Sequence, residues 1–376
     1  MASSVPRGLP KLRVAACHIA SRTLSAEEST HKTIDFIKTA ANNSANLVVF
    51  PEASIPGFPV WSSILPPTQT HHFFHRLATE SLDVRGEEIS AIRETAFRHR
   101  VTVSLGISER VHYSSATLFN TNLIIGEDGN ILVHHRKLMP TFFEKLSWSP
   151  GDGFGLRIAH TKYGKIGALI CGENTNPLAR YTLMAQGEQV HISTWPAIWP
   201  TRATSKGSST DQRHSNYDNI AANHTRAAAH CFEAKCFGIM CAGHLGEQGM
   251  EEIAQMTGRP DEVKKMLTTY PRAATQFLDP TGKTVMGAVV DVATGKWSEK
   301  KMLQDEEGIL YATLDLTECV EGKQYHDVVG GYQRLDVFSL QVDRSRQYPL
   351  SFTNDSEIQE TEPTGTGGAS NSGGKG

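Results

Sequence analysis

Residues 166–180 restrict the possible folds more than any other part of the chain, because they predict a buried strand that leads directly into a helix. The stretch begins as a short apolar run, which Gly172 ends. Asn176 followed by Pro177 is typical of a helix start, with a capping side chain and a proline in the first turn. Cys171 therefore lies on the turn, where backbone N–H groups and the helix dipole are expected to lower the pKa of a thiol. It is a candidate nucleophile, and the alternative is an inert buried cysteine.

Strands and helices alternate along the rest of the chain. Apolar strands are predicted at 11–20, 46–50 and 101–107, and the amphipathic helices between them begin at a capping box at Ser25 and near Glu87. This order predicts an α/β layered sheet. The remaining predicted elements are hairpins at 118–137 and 157–171, a helix from Pro177 with Leu178, Tyr181 and Ala185 on its apolar face, strands at 189–194, 237–242, 274–278 and 308–314, and helices at 219–237 and 251–268.

Composition excludes several classes of function. The chain has 376 residues, a formal net charge of −3 and 20% charged residues, so it offers no basic field for nucleic acid or an anionic membrane. No apolar run approaches the roughly 18 residues of a transmembrane helix, and the N-terminus lacks the apolar core of a secretory signal. Six cysteines in so long a chain make no disulfide framework. We therefore expect a soluble cytoplasmic protein that binds neither nucleic acid nor membrane.

The chain shows no clear linker before its C-terminal tail, so residues 1–353 are predicted to form a single domain. After Asn354 the composition changes to Glu, Thr, Gly, Ser and Asn, and residues 354–376 are predicted to be a disordered tail. The polar stretch at 195–218 is too long for a simple connection, which indicates a functional or disordered loop.

Two clusters have residue types that bind metals, and both are assigned to other roles. The evenly spaced cysteines between residues 231 and 241 lack a CxxC pair, which favours packing thiols over zinc or iron–sulfur ligands. The histidines between residues 71 and 75 have no carboxylate or cysteine at matching spacing, which favours a surface or interface cluster. The sequence therefore predicts neither a metal nor a cofactor.

Glu52, Lys137 and Cys171 each follow a predicted strand. Ligands of open α/β sheets bind outside the carboxyl ends of the strands, so the three side chains are expected to converge there. A buried carboxylate can act as base for the thiol, and an ammonium can stabilise charge that develops on a substrate. Taken singly, Glu52 is also compatible with a capping carboxylate and Lys137 with a solvated side chain.

The residues around these positions resemble the nitrilase superfamily of carbon–nitrogen hydrolases over about residues 10–350. The resemblance is carried by motifs in the family's order at 50–53, 55–59, 136–141 and 171–174. It implies a four-layer α-β-β-α sandwich. It also implies a catalytic triad at Glu52, Lys137 and Cys171, and a second glutamate at Glu144 that helps to position the lysine.

Finer features are similar to the nitrilase branch of that superfamily, at 147–153, 176–181 and 183–193. A C-terminal motif at 327–340 departs from the pattern at Gly331, where histidine is usual, and at Leu335, where proline is usual. The resemblance implies hydrolysis of a nitrile to a carboxylic acid and ammonia through a covalent thioimidate and thioester, with a minor amide product. It also implies a homo-oligomer built from dimers, which form spirals in some members. The alternatives are an amidase or carbamoylase of the same superfamily, or a non-catalytic assembly or binding member.

Four tryptophans flank the motifs and are candidates for an apolar wall around an aryl or alkyl nitrile: Trp61, Trp148, Trp195 and Trp199. Each is equally compatible with a core or interface role. Trp195 is the preferred candidate because its strand lies beside the Cys171 strand in the family. The backbone at Gly172 is expected to bind the substrate nitrogen.

Overall fold

Two β-sheets packed face to face form the centre of the fold in the computed structural model, which describes residues 8–202, 216 and 218–350. The predicted disordered tail and most of the predicted long loop lie outside the described residues. The division of the chain into a domain and a tail therefore stays a prediction.

The described residues form fourteen strands and nine α-helices. The strands are β1 (Lys11–His18), β2 (Leu47–Val49), β3 (Thr102–Arg110), β4 (Leu118–Ile125), β5 (Ile131–Arg136), β6 (Ala159–Thr161), β7 (Gly164–Ile170), β8 (Val190–Trp195), β9 (Phe237–Ala242), β10 (Gln276–Leu278), β11 (Thr284–Val285), β12 (Gly287–Val290), β13 (Trp297–Lys300) and β14 (Gly308–Asp315). The helices are α1 (Ala26–Asn42), α2 (Trp61–Ile64), α3 (His71–Glu80), α4 (Glu87–His99), α5 (Pro177–Met184), α6 (Asn219–Ala234), α7 (Glu247–Met256), α8 (Pro260–Thr269) and α9 (Glu318–Glu321).

The first sheet has the strand order β13-β12-β14-β1-β2-β3-β4-β5, and the second has the order β11-β10-β9-β8-β7-β6. Strands β1, β2 and β3 run parallel, as do β7, β8 and β9. Each parallel set is continued by antiparallel strands, including the two predicted hairpins. The parallel strands end at the same edge of their sheets, and this edge carries the candidate site.

Alternate residues of each strand point into different layers. Val14 of β1 and Ile192 of β8 belong to the core between the sheets, whereas Ala15 and Val48 belong to a second core under α1 and α4. Helices α5 and α6 cover the other sheet through residues such as Leu183. The predicted α-β-β-α sandwich is confirmed, because strands with apolar residues on both faces need a cover on each side.

Local signals predicted many of the element boundaries. Ser25 and Asn176 cap α1 and α5 through their side chains, as predicted. The single helix predicted at 251–268 is wrong: the chain forms α7 and α8 instead, with Gly258 between them at φ +68°. A residue in this left-handed conformation ends a helix, and glycine adopts it without steric cost.

The face of α5 that carries Leu178, Tyr181 and Ala185 is not the face that packs on the sheet. Leu178 is 60% exposed, and Tyr181 and Ala185 border a surface groove together with residues from 328–340. The buried face carries the neighbouring positions Ala179 and Leu183, because these side chains pack on the β7 side of the helix. The apolar stripe read from the sequence is therefore the outer face of α5.

In the part of the chain that the structure describes, the helices are too short or too polar to cross a membrane.

Candidate active site

Three strand ends bring Glu52, Lys137 and Cys171 together, as predicted. Lys137 directly follows β5, Cys171 directly follows β7, and Glu52 lies in the turn after β2. Gly106 of β3 allows this turn to approach closely, since a Cβ atom there would collide with the carbonyl oxygen of Pro51. One carboxylate oxygen of Glu52, one of Glu144 and the Cys171 sulfur lie within 4.8 Å of one another.

Lys137 lies between two buried carboxylates. Its Nζ donates to Glu52 Oε1 at 2.8 Å and to Glu144 Oε2 at 2.6 Å, and all three side chains are fully buried. Burial alone would lower the pKa of Lys137, but Glu144 and Glu52 hold it well above its ordinary value. The lysine is therefore a fixed buried cation, and its two partners determine where its hydrogens point.

One carboxylate oxygen of Glu52 accepts the hydrogen bonds that hold the side chain in place. Oε1 accepts from Lys137 and from Asn120 Nδ2 at 2.7 Å, whereas Oε2 accepts no hydrogen bond from the described residues. Burial raises the pKa of Glu52 to about 7, although Lys137 lowers it and Glu144 raises it further. Such a carboxyl changes charge near neutral pH and has an oxygen available for a proton, as a general base requires.

Cys171 begins a 3-10 turn, Cys171–Thr175, in the left-handed conformation at φ +50°. The helix α5 starts only after this turn. Burial raises the pKa of the Cys171 thiol well above its ordinary value, and the neighbouring Glu52 raises it further. The prediction of a lowered pKa is wrong, because the cysteine is not at the N-terminus of the helix and desolvation outweighs the charge of Lys137. A thiol in this environment depends on a base to become a thiolate.

Asn174 holds this turn in place. Its Nδ2 donates to the carbonyl oxygens of Leu169 at 3.2 Å and Cys171 at 3.0 Å. Its Oδ1 accepts from Ser193 Oγ at 3.0 Å and lies 2.9 Å from His191 Nε2. The buried side chains beneath the turn therefore orient the backbone of the nucleophile.

Glu173 joins the two strand ends that carry Lys137 and Cys171. Its carboxylate accepts from the backbone N–H groups of Leu138 and Ile170 and lies 2.9 Å from His135 Nε2. Burial opposes ionisation, but His135 and the backbone donors lower the pKa of Glu173 below its ordinary value. The sequence reasoning missed this role, although a carboxylate within a buried turn was a signal for it.

Glu144 is oriented by donors other than the lysine. The backbone N–H of Thr141 donates to its Oε2 at 2.9 Å, and Trp199 Nε1 donates to its Oε1 at 3.1 Å. Glu144 is fully buried beside Lys137, which is the position that the family resemblance implied for it.

A cavity of about 310 Å³ opens beside the nucleophile. Its lining includes Cys171, Gly172, Trp195, Trp199 and Arg226. The parallel pairing of β7 with β8 brings Trp195 here, since Ile170 lies opposite Thr194. Two tryptophans that the sequence predicted for the substrate, Trp195 and Trp199, thus lie at the cavity wall.

Trp61 and Trp148 do not line this cavity. Trp61 stacks on Phe73 with ring centroids 5.0 Å apart and borders a smaller cavity, of about 60 Å³, that reaches Glu52. Trp148 is buried, and its indole N–H donates to Ser108 Oγ at 2.9 Å. Both side chains are core residues, because their large apolar surfaces are covered and the Trp148 donor is satisfied within the protein.

Two clusters in the described residues have donor sets that could hold a metal ion: Glu52, Glu144 and Cys171, and Glu188, His230 and Cys236. In the first, Lys137 already bonds both carboxylates, so an added cation would face an ammonium. In the second, the two oxygens of Glu188 pair with His191 and His230. In both clusters, protein groups already bond carboxylate oxygens that a metal ion would use.

A model of the carbon–nitrogen hydrolase family matches residues 13–324 of this chain. The chain is similar to a nitrilase from Paraburkholderia phymatum, with 30% identity over 339 residues that cover 90% of this chain and 88% of that protein. It is similar to the bromoxynil-specific nitrilase of Klebsiella pneumoniae subsp. ozaenae, with 31% identity covering 90% of this chain and 86% of that protein. A carbon–nitrogen hydrolase structure from Helicobacter pylori G27 matches with a TM-score of 0.61 and 18% identity, covering 84% of this chain and 92% of that one. The last likeness concerns the fold alone.

Proposed function

The chain belongs to the carbon–nitrogen hydrolase family, and we propose that it is a nitrilase that converts an organic nitrile to a carboxylic acid and ammonia. The observation that carries the proposal is the buried group of Cys171, Glu52 and Lys137 beside a cavity walled by tryptophan. Glu144 completes the group by positioning the lysine.

The first half of the reaction forms a carbon–sulfur bond. Glu52 accepts the Cys171 proton, and the sulfur attacks the nitrile carbon while one C–N π bond breaks. Lys137 and backbone N–H groups near Gly172 stabilise the negative charge that develops on nitrogen. The nitrogen then takes the proton from Glu52, and a thioimidate results.

The second half consumes two water molecules. Glu52 activates the first water for addition to the thioimidate carbon and returns the proton to nitrogen, so that ammonia leaves and a thioester remains. The second water breaks the carbon–sulfur bond, releases the acid and restores the thiol. If the tetrahedral intermediate expels the thiol instead of ammonia, the product is the amide, so a minor amide product is expected.

The nitrilase proposal is tested by product analysis with the purified protein. A panel of arylacetonitriles, aromatic and aliphatic nitriles, cyanide and the corresponding amides is assayed for ammonia, acid and amide. We expect acid and ammonia from nitriles. Turnover of amides alone would instead assign the protein to the amidases or carbamoylases, and no turnover of any substrate would favour a binding member of the family.

The activity should depend on pH through Glu52. Because burial raises the pKa of Glu52 to about 7, the carboxyl is protonated and inactive as a base below that pH. We expect kcat/KM to rise with pH through about 7 and then to level off, measured from about pH 5 to 9.

A matched pair of β4 variants separates this effect from general damage. Asn120 donates to Glu52 and lowers its pKa, so Asn120→Ala should move the midpoint to higher pH. Asn122 bonds Ser104 instead, so Asn122→Ala should leave the midpoint in place. A profile that is flat between pH 6 and 8 in the wild type would contradict Glu52 as the base.

An exposed apolar surface supports a homo-oligomer. Leu178 on the outer face of α5 is 60% exposed, and the neighbouring Leu335 and Phe338 are 76% and 74% exposed. Apolar side chains gathered on one surface commonly mark an interface. We propose that a second copy of the chain covers this apolar surface. Light scattering is expected to show at least a dimer that Leu178→Asp weakens, and a wild-type monomer at all concentrations would contradict the proposal.

The six cysteines, all free and buried, support a cytoplasmic location. Thiols without disulfide partners suit a reducing compartment. Fractionation of the source cells tests this location, and recovery in the secreted fraction would contradict it.

A further inference from the structure

Arg226 is the only charged side chain among the described residues that line the Cys171 cavity. The residue lies on α6 and is partly buried. The positive charge of Arg226 acts on the nucleophile. It lowers the pKa of Cys171, although burial raises that pKa by more. The proposed chemistry makes no use of this charge.

Among the described residues, the contacts of Arg226 include no counterion. The guanidinium stacks on the ring of Trp195, 5.3 Å from the centroid, and Nη1 donates to Asn223 Oδ1 at 3.4 Å. Within the described ranges, no ion pair involves Arg226. The carboxylate of Asp218 caps the start of α6, where it accepts from the backbone N–H groups of Ile220 and Ala221.

Two other arginines at buried or partly buried positions pair with carboxylates. Arg136 pairs with Glu109, and Arg180 pairs with Glu233 at 2.6 Å. A buried cation without an acidic partner is costly, and the cost is offset when a ligand supplies the negative charge. The planar guanidinium of arginine can bind the two oxygens of a carboxylate together, and the contact with Trp195 restricts the position of the Arg226 guanidinium.

We propose that the cavity selects nitriles that also carry a carboxylate, and that Arg226 binds this carboxylate while Cys171 attacks the cyano group. The inference rests on the proposed nitrilase function and names its substrate class. Asn219 and Asn223 border the same cavity and add polar side chains beside the guanidinium. Trp195 and Trp199 provide an apolar wall for an aryl or alkyl spacer between the two ends of the substrate.

The test compares paired nitriles that differ only in charge. One pair is a straight-chain ω-cyanocarboxylate and the alkyl nitrile with methyl in place of carboxylate. The other is an arylacetonitrile with a para-carboxylate and its para-methyl analogue. Ammonia release gives kcat/KM for each nitrile. The readout is the ratio of kcat/KM for the carboxylate-bearing nitrile to kcat/KM for its neutral analogue. This ratio is measured for the wild type, Arg226→Met, Arg226→Lys and Arg180→Met.

We expect the wild type to prefer the carboxylates and Arg226→Met to lower the ratio by about 10- to 100-fold, the range for a lost charged hydrogen bond. Arg226→Lys should retain part of the preference because it keeps the charge but not the fork. Arg180→Met removes an arginine outside the cavity and should leave the ratio unchanged.

Two results would overturn the inference while leaving the nitrilase function intact. One is a wild-type kcat/KM that is no higher for the carboxylate-bearing nitriles than for their neutral analogues. The other is an equal loss of both substrates in Arg226→Met, which would give Arg226 a general electrostatic role at Cys171. Turnover of none of these four nitriles would overturn the inference, and the full panel of nitriles and amides then decides the nitrilase proposal separately.

Discussion

Replacing Cys171 with alanine is expected to lower nitrile turnover by at least about 10⁴-fold, as for other enzymes that lose their covalent nucleophile. The sulfur is the atom that attacks the nitrile carbon in the proposed mechanism, and Glu52, Lys137 and Glu144 cannot form the thioimidate without it. Cys171→Ala should keep the fold, because the backbone of the turn is held by Asn174 and Glu173 rather than by the thiol. The measurements are ammonia release and circular dichroism of the variant.

Cys319→Ala provides the matched control. All six cysteines are free and buried, but Cys171 lines the open cavity whereas Cys319 lies in the core between the sheets. The control should retain turnover and should still take up a small electrophile such as iodoacetamide on a single thiol, detected by mass. Full activity in Cys171→Ala, or alkylation of that variant to the wild-type extent, would refute Cys171 as the nucleophile.

The positions of the three strand-end residues could be predicted from the sequence for a physical reason. Glu52, Lys137 and Cys171 each follow a predicted strand, and the carboxyl ends of parallel strands share an edge of the sheet. Their identity as one site came from the family resemblance. The hydrogen bonds that orient them were not predictable, since partners such as Asn120 lie far away in the chain.

Several failures of sequence reasoning share one cause, which is that burial is decided by tertiary packing. Cys171 was expected to have a lowered pKa because its neighbours in sequence form a turn and a helix, but desolvation by the surrounding layers raises it. Leu178 has the spacing of a buried face, yet it lies on the outer side of α5. Arg226 gave no signal either, because a single arginine on a helix is usually solvated.

Replacing Lys137 with methionine should damage both stability and activity. Methionine fills a similar volume but leaves Glu52 and Glu144 facing each other in the interior without a cation. Removing one partner of a buried ion pair typically costs about 3–5 kcal/mol of the free energy of unfolding. Turnover should fall by at least about 10³-fold, because the charge that develops on the substrate nitrogen loses its stabilising ammonium.

The loss of stability in Lys137→Met should itself depend on pH. Burial already raises the pKa of Glu52 in the folded protein, and loss of Lys137 removes a charge that lowers this pKa, so the folded variant binds more protons than the unfolded chain at intermediate pH. Stability must then fall as pH rises from about 5 to 8. Denaturant unfolding at several pH values measures this slope, and a variant as stable as the wild type at pH 8 would contradict the role of Lys137 as the counterion.

The double variant Lys137→Met with Glu144→Gln separates the stabilising role of Lys137 from its catalytic role. Glutamine removes one of the two buried charges, so part of the lost stability should return. The recovery should be incomplete, because Trp199 Nε1 and the backbone N–H of Thr141 both donate to Glu144, and an amide offers only one oxygen to accept them. Activity should remain as low as in Lys137→Met, since no ammonium faces the substrate nitrogen. Recovery of turnover together with stability would mean that Lys137 only neutralises its neighbours, and the charge on nitrogen would then have to be stabilised by the backbone near Gly172.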